Sequence, residues 1–139
     1  MQKDLSQIGE IQSFASIPEG KYTCQISEVR PGATRDGSER WAVRLEVAVG
    51  EYAGRTAGWD GLVWSERGLP RVKYVLDRLG FDTNGWVSLE PEDLVGRCVQ
   101  ATFVPEERDD PVSGRRVQCL RVPYAGYQRA MELEDEAPF

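Results

Sequence analysis

Histidine is absent from this chain of 139 residues. The imidazole ring is the commonest general base at neutral pH and the usual partner of a serine or cysteine nucleophile, so its absence disfavours catalysis of those kinds. A zinc site would need thiolates and carboxylates, and no cysteine stands in a Cys-x-x-Cys pair. The sequence therefore predicts a protein that is not an enzyme and that holds no metal or other cofactor.

Long apolar runs and paired cysteines are also lacking. No stretch approaches the roughly 20 apolar residues of a membrane helix, and residues 1–5 contain no apolar signal core. Cys24, Cys98 and Cys119 are odd in number and widely spaced, which argues against a disulfide framework and predicts buried structural thiols. We expect a cytoplasmic protein that contacts no membrane.

The net charge of −6 is unevenly distributed along the chain. Residues 132–139 hold four acidic residues and no basic one, which leaves a balance of −2 for the rest. Arginine supplies most of the 17 basic residues, and its guanidinium suits both phosphate forks and stacking on flat rings. A nearly neutral body of this kind can still bind an anionic backbone through a local positive field.

Apolar alternation predicts five strands, at residues 21–29, 41–49, 55–64, 97–105 and 115–123. A helix is expected after the third strand, with Ser65 as its N-cap, Pro70 in its first turn and Gly80 at its C-terminal cap. Residues 85–90 are expected to form a short strand and residues 91–94 a single turn. This order is typical of a mainly β, OB-fold-like five-stranded Greek-key barrel with one helix between strands 3 and 4.

Three regions are expected: an N-terminal lead-in (1–16), the barrel domain (17–127) and an acidic tail (128–139). Polar loops over residues 30–38 and 106–114 join strands 1 to 2 and 4 to 5, and loops at those places flank the ligand-binding face of an OB-fold. In the second strand, Trp41 shares the apolar face with Val43 and Leu45, so Arg44 is expected on the exposed face.

Binding of a single nucleic-acid strand requires cations for phosphates and aromatic faces for bases. Trp59 and Trp64 lie beside glycines and are the expected stacking rings, and Arg115-Arg116 is the expected phosphate clamp. Charged side chains also keep exposed strands soluble, which remains an alternative explanation for any single arginine. The candidate DNA-binding residues are Arg35, Arg40, Arg44, Arg55, Trp59, Trp64, Arg108, Arg115, Arg116 and Arg121.

Residues 132–139, which we call the acidic tip, place a run of acids before Pro-Phe. Such a segment buries too little apolar surface to fold alone. A basic-rimmed hydrophobic pocket on a partner protein could bind the ring and carboxylate of Phe139 while the acids steer the encounter. An ordinary solvated tail is the alternative. The expected partner-binding residues are Glu134, Asp135, Glu136, Pro138 and Phe139.

With these residues the chain resembles bacterial and phage single-stranded-DNA-binding proteins, whose acidic tails end in Pro-Phe or Phe. The body is similar to a phage-encoded family associated with replication and recombination genes. The similar stretches are Ile17-Pro18-Glu19-Gly20-Lys21-Tyr22, Gly50-Glu51-Tyr52-Ala53-Gly54-Arg55, the helix, and Leu94-Val95-Gly96-Arg97. The resemblance implies an OB-like fold, DNA binding and partner contacts through the tail.

The expected function is sequence-nonspecific coating of single-stranded DNA in replication or recombination, in a bacteriophage or its host. A homodimer is expected because one OB-fold covers few nucleotides. A protein-interaction or virion-assembly module on the same barrel is the first alternative. A nuclease is the second, although its acidic pairs, Glu106-Glu107 and Asp109-Asp110, lie in a hairpin loop that suits ordered metal ligands poorly.

Overall fold

The computed structural model of the chain describes residues 17–109 and 112–130, and the backbone alone at residues 12–13. It is mainly β. The elements in chain order are β1 (Gln12–Ser13), β2 (Gly20–Ala33), β3 (Glu39–Val47), β4 (Thr56–Val63), α1 (Leu69–Arg78), α2 (Pro91–Leu94), β5 (Cys98–Asp109), β6 (Arg116–Arg121) and β7 (Tyr127–Arg129). Within the described ranges, neither helix has the length and apolar character needed to cross a bilayer.

The strands form one sheet in the order β1-β6-β5-β2-β3-β4. All neighbours are antiparallel except β1 and β6, and β5 carries β2 along one edge and β7 and then β6 along the other. The sheet curls so that β4 lies near β6: a Cβ on Gly58 would lie 3.5 Å from the carbonyl oxygen of Leu120. No ladder joins these two strands in the described chain, so the sheet is open.

The predicted alternation of β3 is confirmed. Trp41, Val43, Leu45 and Val47 are buried, whereas Val49 is exposed because the strand ends at Val47. The core also receives the apolar face of α1, which begins at Leu69 and not directly after Ser65. The Ser65 hydroxyl instead accepts a hydrogen bond from the Gly68 amide (3.0 Å) in the turn before the helix. Other buried core side chains are Cys24, Ile26, Val72, Val75, Leu76, Val99, Ala101 and Phe103.

Both predicted long loops are shorter than expected because the strands beside them are longer. β2 continues through Pro31 to Ala33, and it can do so because β5 pairs only with residues 20–25 of β2. The far half of β2 therefore has one unpaired edge, where a proline costs no ladder hydrogen bond. The first loop is reduced to residues 34–38, and β5 likewise extends to Asp109.

Three further local predictions were incomplete or wrong. Residues 85–90 form no strand, and Trp86 among them is fully exposed. β7, which spans the boundary predicted at residue 127, was missed because three residues give no periodic signal and depend on the open edge of β5. Of the three free cysteines only Cys24 is buried. Cys98 is exposed because it alternates with the buried Val99.

One carboxylate lies on the inward face of the sheet. Asp60 of β4 pairs with Arg71 of α1 (2.8 Å) and accepts a hydrogen bond from the Tyr127 hydroxyl of β7 (2.6 Å). The Tyr74 hydroxyl donates to the carbonyl oxygen of Tyr127 (2.7 Å). Burial, and then the charge of Asp60, raises the pKa of Tyr127 well above its ordinary value of 10.0. This cluster fastens α1 and β7 to β4.

The turn before α1 requires glycine at position 68, because a Cβ there would lie 2.2 Å from the carbonyl oxygen of Val63. We expect Gly68→Ala to lower the free energy of unfolding by about 1–3 kcal/mol through this clash. Gly32→Ala is the matched control, since its Cβ would lie 3.9 Å from the nearest atom, the carbonyl oxygen of Arg40. Urea unfolding measures both, and equal losses would contradict the explanation.

Tyr127→Phe removes the hydroxyl that donates to Asp60. We expect a loss of about 1.5–3 kcal/mol at neutral pH, the usual range for a hydrogen bond to a charged group. Because the folded-state pKa of Tyr127 is raised, its contribution is complete below pH 10 and is lost as the pH rises above it. The stability gap between the two proteins should therefore shrink above pH 10, by up to about 1.4 kcal/mol per pH unit. A gap that stays constant to pH 11.5 would contradict this.

Candidate nucleic-acid interface

The outward face of β2, β3 and β4 is built from rows of paired residues. Arg44 lies between Glu28 and Trp59, and Arg30 shares the next row with Ala42 and Gly61. Directly paired residues of neighbouring strands point to the same side of a sheet. We call the surface formed by Arg30, Arg40, Arg44 and Trp59 the Arg–Trp face.

Trp59 is the aromatic centre of this face. Its side chain is 41% exposed, although residues on both sides of it along β4 pack into the protein. The guanidinium carbon of Arg30 lies 4.8 Å from the indole centroid, within cation–π range. Trp59 thus presents a partly exposed ring on the outer side of the sheet instead of burying it.

Small residues leave room for arginine to lie across the strands. Gly61 has no side chain, and a Cβ on it would lie only 2.5 Å from the Arg40 guanidinium nitrogen Nη2. Ala42, beside Gly61 in the same row, carries only a methyl group. The long side chains of Arg30 and Arg40 therefore rest over the sheet surface near Trp59.

The cations of the Arg–Trp face differ in their partners. Arg44 donates from Nε to the hydroxyl of Thr56 (2.7 Å), and Arg30 forms an ion pair with Glu28. Arg40 makes no ion pair with any residue that the structure describes. Arg40 and Arg44 can therefore bind an anion without breaking an ion pair. Arg30 would have to exchange the carboxylate of Glu28 for the anion.

Arg35 lies in the loop over residues 34–38, at the same end of β3 as Arg40. This loop is ordered by its own hydrogen bonds: the Thr34 amide donates to the carbonyl oxygen of Ser38 (2.9 Å). The Thr34 hydroxyl and then the Ser38 amide hold the pKa of Asp36 below its ordinary value. Arg35 is exposed in this loop, which joins β2 and β3, the strands that carry Arg30 and Arg40.

The β5–β6 hairpin carries four of the expected residues. Arg116 is paired within it, to Glu107 (3.1 Å) and to Asp109 (3.7 Å), which reduces its value as a phosphate clamp. Arg108, Arg115 and Arg121 are exposed. Arg121 follows Leu120, whose carbonyl oxygen approaches Gly58, so Arg121 is next to a point where β6 approaches β4.

Two expected residues lie away from this face. Arg55 is at the opposite end of the β3–β4 pair from Arg40, with its guanidinium carbon 5.5 Å from the Tyr52 ring centroid. Trp64 packs against the buried Trp41, with ring centroids 4.8 Å apart and planes at 57°. Tertiary packing, which the local glycine pattern does not report, determines the environment of Trp64.

Trp64 also lines a groove of about 640 Å³ between α1 and the residues that follow it. Its walls include Leu69 and Leu76 of α1 and the exposed Trp86. Lys73 and Glu66 are its charged side chains, one of each sign. This groove is a second exposed aromatic surface, separate from the Arg–Trp face and without its excess of cations.

The acidic tip lies outside the described residues, and so does Asp110 of the predicted acidic pairs. The partner-binding prediction for Glu134, Asp135, Glu136, Pro138 and Phe139 is therefore not addressed by the structure. Within residues 17–109 and 112–130, no three carboxylate or thiol side chains are grouped closely enough to hold a metal ion.

Arg30 is the member of the Arg–Trp face that sequence reasoning missed. Pro31-Gly32 suggested that the strand ended at residue 29. Glu28 and Arg30 were therefore not assigned to the outward face of the sheet. A bulge between Ile26 and Glu28 also shifts the alternation by one residue. Two charged residues at i and i+2 were the signal that could have placed both on an exposed face.

Comparison with known proteins assigns no family. Neither a family model nor a curated protein matches the chain in sequence. The function must therefore be inferred from the arrangement of the Arg–Trp face and its surroundings.

Proposed function

We propose that this protein binds single-stranded DNA without sequence preference through the Arg–Trp face. The observation that carries the proposal is the exposed ring of Trp59 on a sheet face flanked by Arg30, Arg40 and Arg44. Every base has a π-face, so stacking on an aromatic ring tolerates any sequence, while arginine binds the phosphates between the bases.

We also propose that the sheet is an OB-like Greek-key barrel. The strand order β6-β5-β2-β3-β4, the position of α1 between β4 and β5, and the approach of β4 to β6 all support it. The loop at residues 34–38 and the β5–β6 hairpin would then flank the Arg–Trp face. Arg35 on one side and Arg108, Arg115 and Arg121 on the other would extend the path of the strand.

The protein would act without catalysis, as a homodimer that coats DNA during replication or recombination in the cytoplasm of a bacterial cell or a phage-infected host. The acidic tip would recruit replication or recombination proteins through Glu134, Asp135, Glu136, Pro138 and Phe139. Its mixture of acids and an apolar end suits a basic-rimmed hydrophobic pocket.

The alternative is a protein-interaction or virion-assembly module that binds no DNA. The groove beside α1, with the exposed ring of Trp86, is the observation that favours it. If poly-dT at low salt neither quenches tryptophan fluorescence nor shifts the protein in a gel, the DNA proposal fails. Magnesium-dependent cleavage of that DNA would instead indicate a nuclease.

Trp59→Ala should weaken poly-dT binding by about 1–3 kcal/mol, the usual contribution of one stacked base. Trp86→Ala is the matched control, because it removes an exposed indole that lies outside the Arg–Trp face. Fluorescence anisotropy with labelled oligo-dT measures both. Equal affinities for the two variants would contradict the assignment of Trp59 as the stacking ring.

Arg40→Gln should lower the steepness of the salt dependence of binding by roughly 0.7, the value for one phosphate neutralised on a single strand. Lys73→Gln on α1 removes the same charge away from the Arg–Trp face and should leave the slope unchanged. A titration with oligo-dT across salt concentrations gives both slopes. A fall of the same size in both variants would show a long-range charge effect and no phosphate contact at Arg40.

Removal of residues 132–139 changes the net charge from −6 to −2. If the acidic tip competes with DNA for the cations, its removal should tighten oligo-dT binding at low salt and have little effect at high salt. Replacing Glu134, Asp135 and Glu136 by their amides tests whether charge alone is responsible. Unchanged affinity in both variants would contradict the competition.

A further inference from the structure

We propose that Arg30 is a gate over the stacking face of Trp59, and that Glu28 holds this gate closed in the unbound protein. The proposal rests on the function proposed above: the entering group is a nucleobase of single-stranded DNA. On binding, the base takes the place of the guanidinium on the ring, and Arg30 turns to the neighbouring phosphate. Arg30 is thus a positioning residue that covers Trp59 before binding and holds the strand after it.

The β-bulge in β2 creates this arrangement. Without the shift between Ile26 and Glu28, Glu28 would follow the inward parity of Ile26. The bulge turns Glu28 outward, and with it Arg30 two residues later. Bulges that re-aim side chains are frequent beside binding sites. Glu28 and Arg30 therefore lie on the same face as Trp59 because β2 contains one extra residue at the bulge.

The side chains between Arg30 and Trp59 are small enough for the Arg30 guanidinium to reach the indole ring. Arg30 pairs across the sheet with Ala42, and Ala42 pairs with Gly61. The guanidinium can therefore cross β3 over a methyl group and reach the indole, where it lies 4.8 Å from the centroid. A large side chain at position 42 would block that path.

Arg30 and a base cannot both occupy this face of the ring. Stacked aromatic rings have centroids about 4.5–7 Å apart, and the guanidinium already lies at 4.8 Å. A base that stacks there must displace it. The side chain of Arg30 is 68% exposed, so it can swing away on its long stem and remain close enough to bind a phosphate.

Glu28 sets how readily the gate opens. Its carboxylate pairs with Arg30 while the guanidinium rests on the ring, and it would repel an incoming phosphate. The side chains of Arg30 and Glu28 are 68% and 35% exposed, and ion pairs with this much access to solvent contribute little. The gate is therefore weak, and its removal should change affinity by about two- to five-fold and not by orders of magnitude.

A comparison of Glu28→Gln with Glu46→Gln separates the effect of opening the gate from the effect of removing a negative charge. Glu46 lies on the same outward face, but it accepts a hydrogen bond from Gln25 (3.1 Å) and forms no ion pair with an arginine among the described residues. Each substitution removes one negative charge from the same sheet. Arg30→Lys keeps the positive charge and loses the flat guanidinium that covers the ring.

The first measurement needs no DNA. It is the acrylamide quenching of Trp59 fluorescence, obtained as the difference between each protein and the same protein with Trp59→Phe. We expect quenching to rise in Glu28→Gln and Arg30→Lys and to stay at the wild-type level in Glu46→Gln. The second measurement is affinity for oligo-dT, which should increase two- to five-fold in Glu28→Gln and less in Glu46→Gln.

Equal quenching in all four proteins, or an equal gain of affinity in the two glutamate variants, would overturn the gate. Failure of the wild-type protein to bind oligo-dT would overturn the proposed function instead, and the quenching measurement would still decide whether Arg30 covers Trp59. The two failures are therefore distinguishable.

Discussion

The carboxylate of Asp60 is the group on which the rest of the structure depends. It lies on the inward face of β4, where an unpaired charge would be strongly unfavourable, and it is satisfied by Arg71 from α1 and Tyr127 from β7. It also accepts a hydrogen bond from the Gly61 amide (2.8 Å). Because successive side chains of a strand point to opposite faces, an inward Asp60 fixes Trp59 and Gly61 outward.

Pairing with Asp60 keeps the guanidinium of Arg71 charged. Burial disfavours the charged guanidinium, but the hydrogen bond and the charge of Asp60 outweigh it and raise the pKa of Arg71. Arg71 also donates to the carbonyl oxygen of Gly61 (3.3 Å). The same residue that neutralises Asp60 thus binds the backbone of β4 next to the Arg–Trp face. The segment of β4 that carries Trp59 is therefore attached to α1 through hydrogen bonds at Asp60 and Gly61.

The sequence determined much of this sheet in advance, but not its polar core. The alternation of β3 predicted its buried row and the outward position of the half-buried Arg44, because both follow from period two alone. Asp60 was not predicted, since a charge between Trp59 and Gly61 looks like a solvent-facing residue until Arg71 and Tyr127 are brought to it. Trp64 and Arg30 were misjudged or missed for related reasons: one depends on packing with Trp41, the other on a bulge.

The edges beside the Arg–Trp face restrict what can bind there. The far half of β2 has an unpaired edge, but Pro31 gives it no amide to donate at that position. On β4, the guanidinium of Arg71 already occupies the carbonyl oxygen of Gly61. A peptide that adds a strand to a sheet needs an edge with open donors and acceptors, and each edge lacks one of these groups, at Pro31 on β2 and at Gly61 on β4. Strand addition is therefore disfavoured at these positions, and the groups that the Arg–Trp face offers to a ligand are side chains, which suit the bases and phosphates of a single strand.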